Sequence, residues 1–267
     1  MTDTHRAFTG SIPENYDRYL RPLLFEPYAV DLAGRLDVRA GMRVLEIACG
    51  TGIVTRHLRG ELDSASTLMA TDLNQAMLDC ARERLGSDGI KWQQADATSL
   101  PFADGSFDAV VCQFGWMFFP DKPQAAREAR RVLARGGRWL FNVWDRIERN
   151  ELVVVVRDAV AKVLGSPPTF FDTPYGHHDP LRLQRDVESS GFSQILVEPV
   201  SLEGSSASAL DVARGWTDGS PLRNEFADRG EAVVNEVREA VRTAIRQRYG
   251  DGPISARLNA FVCSATA

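Results

Sequence analysis

Residues 43–52 read RVLEIACGTG, and the fold follows from them. Val44, Leu45 and Ile47 form a short apolar run rich in branched residues, the composition of a strand buried on both faces of a parallel sheet. Gly50, Thr51 and Gly52 then permit a sharp turn, because a residue without Cβ tolerates positive φ and close approach by a ligand. Residues 53–59 have helical spacing, with Ile53, Val54 and Leu58 facing inward. Strand, glycine turn and helix together make the opening unit of a nucleotide-binding α/β sheet.

A dinucleotide fingerprint requires G-x-G-x-x-G/A, the third small residue letting helix and strand pack tightly under a pyrophosphate. Here Gly50 and Gly52 are followed by Thr55 at the third place, and Glu46 sits inside the strand, where it opposes a pyrophosphate. A cationic ligand without phosphate fits better. The stretch resembles the first motif of the class I S-adenosylmethionine methyltransferases, in which the glycine turn passes under the amino-acid end of the donor.

Composition sets the outer bounds. At 267 residues the chain is one large domain or one domain with an appended cap. Net charge is −5, with 44% hydrophobic and 25% charged residues, so no global field favours nucleic acid or an anionic membrane. Cys49, Cys80, Cys112 and Cys263 are scattered, with no C-x-x-C pair and no clustered histidines, so neither a metal site nor a disulfide framework is expected. The start, MTDTHRAFTG, lacks the apolar core of a signal peptide, and the longest apolar run, residues 152–156, is too short to span a bilayer. A cytoplasmic protein is expected.

Residues 11–36 place Tyr16, Tyr19, Leu20, Leu23, Leu24, Phe25 and Tyr28 close together. Pro13, Pro22 and Pro27 are expected to break this stretch into short pieces, with a helix over residues 27–36. Tyr16 and Tyr19 suit a lid over a ligand, and equally the core packing of an N-terminal helix. Residues 67–72 (TLMATD) read as the second strand. Asp72 lies 22 positions after Gly50, close to the roughly 20 at which such folds set an acid against ribose hydroxyls. Asn74 is expected to cap a helix over residues 75–85, with Met77 available to the face of an adenine or to plain core.

The third strand, residues 91–94, leads to Asp96 and Ala97 at the ligand crevice, where the acid can accept from an exocyclic amine. Residues 107–114 form a nearly uniformly apolar, central fourth strand, bringing Gln113 and Phe114 to the site end. In the loop GWMFFPD, Trp116 and Phe118 are candidate walls of a substrate pocket, or staples for the next helix, while Phe119 favours packing. A helix over residues 123–134 with Gly136 and Gly137 as its C-cap signal precedes a fifth strand, residues 138–143.

Over residues 43–145 the chain looks like the methyltransferases (type 11) typified by the ubiquinone and menaquinone biosynthesis C-methyltransferases. The matching pieces are VLEIACGTG, TDLNQAML, the block from QADATSLPFADGSFDAVVCQF to FFPD, and RVLARGGRWLFNVW. The resemblance implies donor contacts at Glu46, Ala48, Gly50, Gly52, Asp72, Leu73, Asp96, Ala97 and Gln113. It also implies a Rossmann-like, seven-stranded, mostly parallel sheet in the order 3-2-1-4-5-7-6, with the last strand antiparallel and helices on both faces. Cys49 departs from the commonest wording of the motif; only its backbone need approach the ligand, and no nearby base marks it as a nucleophile.

The second half supplies strand six (residues 193–200), strand seven (residues 257–266) and, between them, helices over residues 209–216 and 222–248 with an interruption near Gly230. The expected division is an N-terminal helical lid (1–40), a donor-binding core (41–200), a helical cap (201–255) and the closing strand (256–267). His177 and His178, in the aromatic loop FFDTPYGHHDP, join Tyr16 as candidate proton acceptors, and His177 and Trp216 join Trp116 as candidate substrate contacts. The expected activity is methyl transfer from S-adenosylmethionine, leaving S-adenosylhomocysteine, to a C, O or N nucleophile of a small molecule, in a monomer or homodimer without nucleic-acid or membrane partners. A non-catalytic donor- or nucleoside-binding regulatory module is the alternative, and a nicotinamide dehydrogenase is disfavoured by Glu46 and Thr55.

Overall fold

The computed structural model describes residues 10–267. The deciding stretch forms β1 (Arg43–Ile47) near the middle of a sheet, with Val44 and Leu45 wholly buried. It pairs in parallel with β2 (Thr67–Asp72) through Leu45↔Met69 and with β4 (Phe107–Gln113) through Leu45↔Val110. Outside β2 lies β3 (Ile90–Gln94), and outside β4 lies β5 (Leu133–Trp144). Beyond β5 run β7 (Ile254–Thr266), antiparallel to both neighbours, and β6 (Ser193–Ser206) at the edge, giving the order β3-β2-β1-β4-β5-β7-β6. The expected topology is the one found.

Helices α3 (Ile53–Glu61), α4 (Gln75–Leu85), α5 (Lys122–Val132) and α6 (Glu151–Leu164) connect the core strands or pack on them, each burying an apolar stripe. The short α7 (Asp172–Tyr175) and α8 (Pro180–Glu188) lead into β6. The cap lies between β6 and β7: α9 (Ala209–Asp218), two 3₁₀ turns (Pro221–Glu225 and Ala227–Arg229), and α10 (Glu231–Tyr249), which begins after Gly230 at φ 93°. Val234, Val237, Val241 and Ile245 form the buried stripe of α10, and its charges face outward.

Several boundaries differ from expectation for physical reasons. The N-terminal prolines do not fragment the arm. The helix α1 (Ile12–Asn15), a π-helical stretch Tyr16–Phe25 and α2 (Glu26–Gly34) run on without a gap. Pro22 sits inside the π stretch, whose wider turn accommodates a ring that would clash one turn back in an α-helix; at its end the Glu26 N–H reaches the Arg21 carbonyl, five residues back. Gly136 and Gly137 do not cap α5. The chain enters β5 at Leu133, and the glycines fall in a bulge where β4 advances from Phe107 to Ala109 while β5 advances from Leu133 to Arg138. Strand β6 continues past Val200 to Ser206, paired throughout with β7. The Asn74 side chain makes no cap bond, and the residue's backbone N–H donates to Asp72. Of the lid expected over residues 1–40, residues 1–9 lie outside the described residues.

The arm is pinned to the sheet from beneath. A Cβ built on Gly204 of β6 would stand 1.7 Å from the Leu23 carbonyl oxygen, so backbone lies directly against backbone. Gly204→Ala must push the arm away, and a loss of about 2–4 kcal/mol in unfolding free energy is expected by chemical denaturation. An unchanged midpoint would show that the arm is loosely held.

Candidate active site

The site grows from the turn after β1. Ala48 (φ 56°), Gly50 (φ 56°) and Gly52 (φ 80°) all adopt left-handed conformations, and Ala48 does so with a Cβ. Gly115 makes room for it, since a Cβ there would fall 2.6 Å from the Ala48 Cβ. Asp72, at the end of β2, fixes the turn from the other side: its carboxylate accepts the Gly50 N–H at 2.9 Å and the Asn74 N–H at 2.8 Å.

These elements enclose a crevice across the carboxyl ends of β1, β2, β3 and β4, which with the open space above it measures about 820 Å³. Tyr16, Ala48, Gly50, Asp72 and Leu73 line it, as do Met77, Asp96, Ala97, Gln113 and Phe114. Asn74, Gly115, Phe118 and Pro120 also line it. Asn74 and Gly115 were missed in the sequence although each adjoins a residue singled out there. The Asp96 carboxylate is held in a local turn by the Thr98 N–H and hydroxyl.

Other candidates are placed elsewhere. Glu46 is buried below the crevice floor. Thr51 turns away: its hydroxyl donates to Asp17 at 3.3 Å, and its carbonyl accepts from Arg84 at 3.1 Å. Since Arg84 also pairs with Asp17, this knot ties the N-terminal arm to the glycine turn. Gly52 lies under α4, where an added Cβ would meet Leu85 and Ala81, so its role is close packing. Tyr19 packs beside Gly215 of the cap, with Arg18 over its ring, and does not line the crevice.

Trp116 is wholly buried against Trp139 and Phe141 and lines neither the crevice nor the chamber described below. The one-turn 3₁₀ segment Trp116–Phe118 carries the indole into the core and leaves Phe118 at the crevice. His177 and His178 also line neither space. His178 donates from Nδ1 to the Tyr175 carbonyl, and burial, with Lys122, Arg182 and His178 nearby, lowers His177 to about 4.

A second space, about 490 Å³ together with the open space at its mouth, adjoins the crevice and shares Tyr16, Phe114 and Phe118 with it. Its other walls include Phe25, Trp144, Phe170, Tyr175 and, from the cap, Trp216. The Phe114 and Trp144 rings stack in parallel at 3.8 Å. Phe114 is held at φ 49° by its N–H, which donates at 2.8 Å to Oδ1 of the buried Asn142. Sequence reasoning missed the chamber as a unit, although Trp144 closing a strand and the aromatic run after Pro168 were its signals.

The electrostatics favour a cation. Burial pushes Glu46 up to about 8; Asp72 adds to the rise, and Thr55 partly offsets it. Asp72 is raised by burial against the pull of the Asn74 and Gly50 amides. Glu46 Oε2 and Gln113 Oε1 are buried acceptors without a partner among the described residues. Unpartnered acceptors beside the Asp72 carboxylate suit a ligand that brings N–H donors and positive charge, such as an α-ammonium group. Burial holds Tyr16 above the ordinary phenol range, with Asp72 and Asp17 adding to it, and holds the Cys49 thiol protonated. Among the described residues no group of three metal-ligating side chains occurs, and no helix is long and apolar enough to cross a membrane.

Strand order, glycine turn and acid-lined crevice make a Rossmann-like α/β domain with a cleft at the carboxyl ends of its strands. Residues 45–141 match the family model described as "Methyltransferase domain". Over 122 residues the chain is 40% identical to the ubiquinone/menaquinone biosynthesis C-methyltransferase UbiE of Idiomarina loihiensis, covering 44% of this chain and 47% of that one. The chain thus spans about half the length of the curated relatives it matches. The fold is shared with phosphoethanolamine N-methyltransferase 2 of Haemonchus contortus, solved with S-adenosyl-L-methionine (TM-score 0.62, 16% identity, 97% of this chain and 57% of that one). It is shared also with the YcgJ protein of Bacillus subtilis (TM-score 0.57, 22% identity, 90% and 97%).

Glu46 has a measurable cost. Its folded pKa of about 8 lies above the ordinary value of 4.5, so the fold binds this proton more tightly than the unfolded chain. Its contribution is therefore fully present below about 4.5 and is lost as pH rises through about 8. Glu46→Gln should melt at a higher temperature than the native protein at pH 8.5, with the gap closing toward pH 4.5, as read by differential scanning fluorimetry. Equal melting temperatures at both ends would mean that the carboxylate ionises freely in the fold.

Proposed function

We propose that the protein transfers the methyl group of S-adenosylmethionine to a small-molecule acceptor seated in the aromatic chamber. The observation that carries this is the junction of the two spaces, where Tyr16, Phe114 and Phe118 belong to both. A donor in the crevice and an acceptor in the chamber would both lie against these three rings.

The residues present suit the donor. Asp72 is placed for the ribose hydroxyls, Leu73, Met77 and Ala97 for the adenine faces, and Asp96 for the exocyclic amine. Gln113 offers its unpartnered oxygen to the ammonium group from the crevice wall, and the buried Glu46 carboxyl adds an attractive charge when ionised. S-adenosylmethionine supplies an electrophilic methyl carbon on a sulfonium. The chain's own task is alignment and exclusion of water: near-attack placement is worth several kcal/mol, up to about 7–11 in the best-oriented cases. Phe114 and Trp144 make a rigid wall at the junction, and the arm and cap close the chamber above it.

Glu46 couples donor binding to pH. The free protein holds it protonated up to about pH 8, whereas an ammonium partner favours the carboxylate, so binding releases a proton. Affinity is therefore expected to rise as pH climbs toward about 8 and to level off above it, with calorimetric heats that vary with the ionisation enthalpy of the buffer. A flat profile would place the ammonium elsewhere. Asp72→Asn should weaken binding by about tenfold to a hundredfold through lost charge-assisted hydrogen bonds. The deciding experiment follows S-adenosylhomocysteine formation with a panel of small aromatic acceptors. Tight donor binding without turnover on any acceptor would leave the regulatory module as the better account.

A further inference from the structure

We propose that the acceptor is an uncharged, planar heteroaromatic ring whose ring nitrogen takes the methyl group. This rests on the methyl-transfer function proposed above. Three features of the chamber lead to it. The first is its lining: Phe25, Phe114, Phe118, Trp144, Tyr175 and Trp216 present rings, joined by Leu20 and Leu24, and among the described residues no Asp, Glu, Lys, Arg or His side chain lines it. The Ser220 hydroxyl is already spent on the Trp216 carbonyl at 2.8 Å. A carboxylate or phosphate acceptor would give up its hydration there without a counter-charge.

The second feature is shape. Phe114 and Trp144 are parallel to within 9°, and Trp144 lies at 29° to the Tyr175 ring, 6.1 Å away. These flat, mutually supported faces suit a mono- or bicyclic ring lying against them by offset stacking.

The third is the charge carried by the reaction. The ring-nitrogen lone pair forms the new N–C bond, the C–S bond breaks, and its electron pair stays on sulfur as a neutral thioether. The positive charge moves from sulfur to the ring as an N-methyl onium ion, and no proton is transferred. Aromatic faces stabilise such a cation. The nearby phenols are not placed to serve as bases, because burial holds both Tyr16 and Tyr175 above the ordinary phenol range. A ring nitrogen requires none.

The test uses the full chain with S-adenosylmethionine at pH 8 and four probes: quinoline, isoquinoline, 1-naphthol and 1-naphthoate. Donor binding is measured first by calorimetry; its failure would overturn the methyl-transfer function itself. Given donor binding, formation of N-methylquinolinium or N-methylisoquinolinium, identified by mass alongside S-adenosylhomocysteine, supports the proposal. Turnover confined to naphthol or naphthoate, or on none of the four, overturns it. Trp216→Leu should lower kcat/KM for the accepted heteroaromatic by about tenfold or more while leaving donor affinity unchanged, and Trp216→Phe should restore most of it. Equal kcat/KM in the leucine variant would also overturn the proposal.

Discussion

One carboxylate holds the site together. Asp72 receives the amide of Gly50 from the turn after β1 and that of Asn74 at the head of α4, so two adjacent strand ends are locked to a single side chain. The turn needs that restraint because Ala48, Gly50 and Gly52 all lie in the left-handed region. From the far side, Thr51 and Arg84 converge on Asp17, which brings the N-terminal arm down onto the same turn. Removing Asp72 would therefore loosen the floor of the crevice and, through it, the seating of the arm.

The site is costly to the fold in a particular way. Glu46 and Gln113 present buried oxygens that nothing among the described residues satisfies, although most buried polar groups in proteins find partners. Burial answers the first by keeping the carboxyl protonated. Under the proposed function, a cationic ligand that satisfies these oxygens gains affinity by relieving that cost. Glu46 Oε2 and Gln113 Oε1 both lack a donor among the described residues, which favours a ligand that brings N–H groups and positive charge.

Much of this was legible in the sequence, and the exceptions have causes. The strands β1, β2 and β4 were readable because both faces are buried, which makes their runs apolar and their ends abrupt. The crevice was readable for a related reason: its residues follow strand ends, where chain order and spatial order coincide. Trp116 is open in the sequence between pocket wall and packing, because an aromatic just past a strand end can fall on either side of the sheet, and a single 3₁₀ turn decides which. The histidines carry proton-acceptor chemistry but no signal of depth; they follow α7, and both imidazoles end outside the two spaces. Pro22 misled because a π-helix has no distinct sequence signature, so breakage was the only outcome that local rules offered.

The chamber could not have been read from local sequence at all, since its walls come from the arm, from the ends of β4 and β5, from the segment before α8 and from the cap. What unites them is a strained residue. Phe114 stands at φ 49°, a conformation costing of order 1–3 kcal/mol for a bulky side chain, and it is kept there by the Asn142 carbonyl oxygen and by stacking on Trp144. Those two supports lie on β5, two residues apart and so on one face of the sheet. In this way β5 sets the direction of a ring at the end of β4, and that ring is one of three residues common to the crevice and the chamber. The strain is localised where the two spaces adjoin, and the neighbouring strand, rather than the loop itself, fixes the position of the ring.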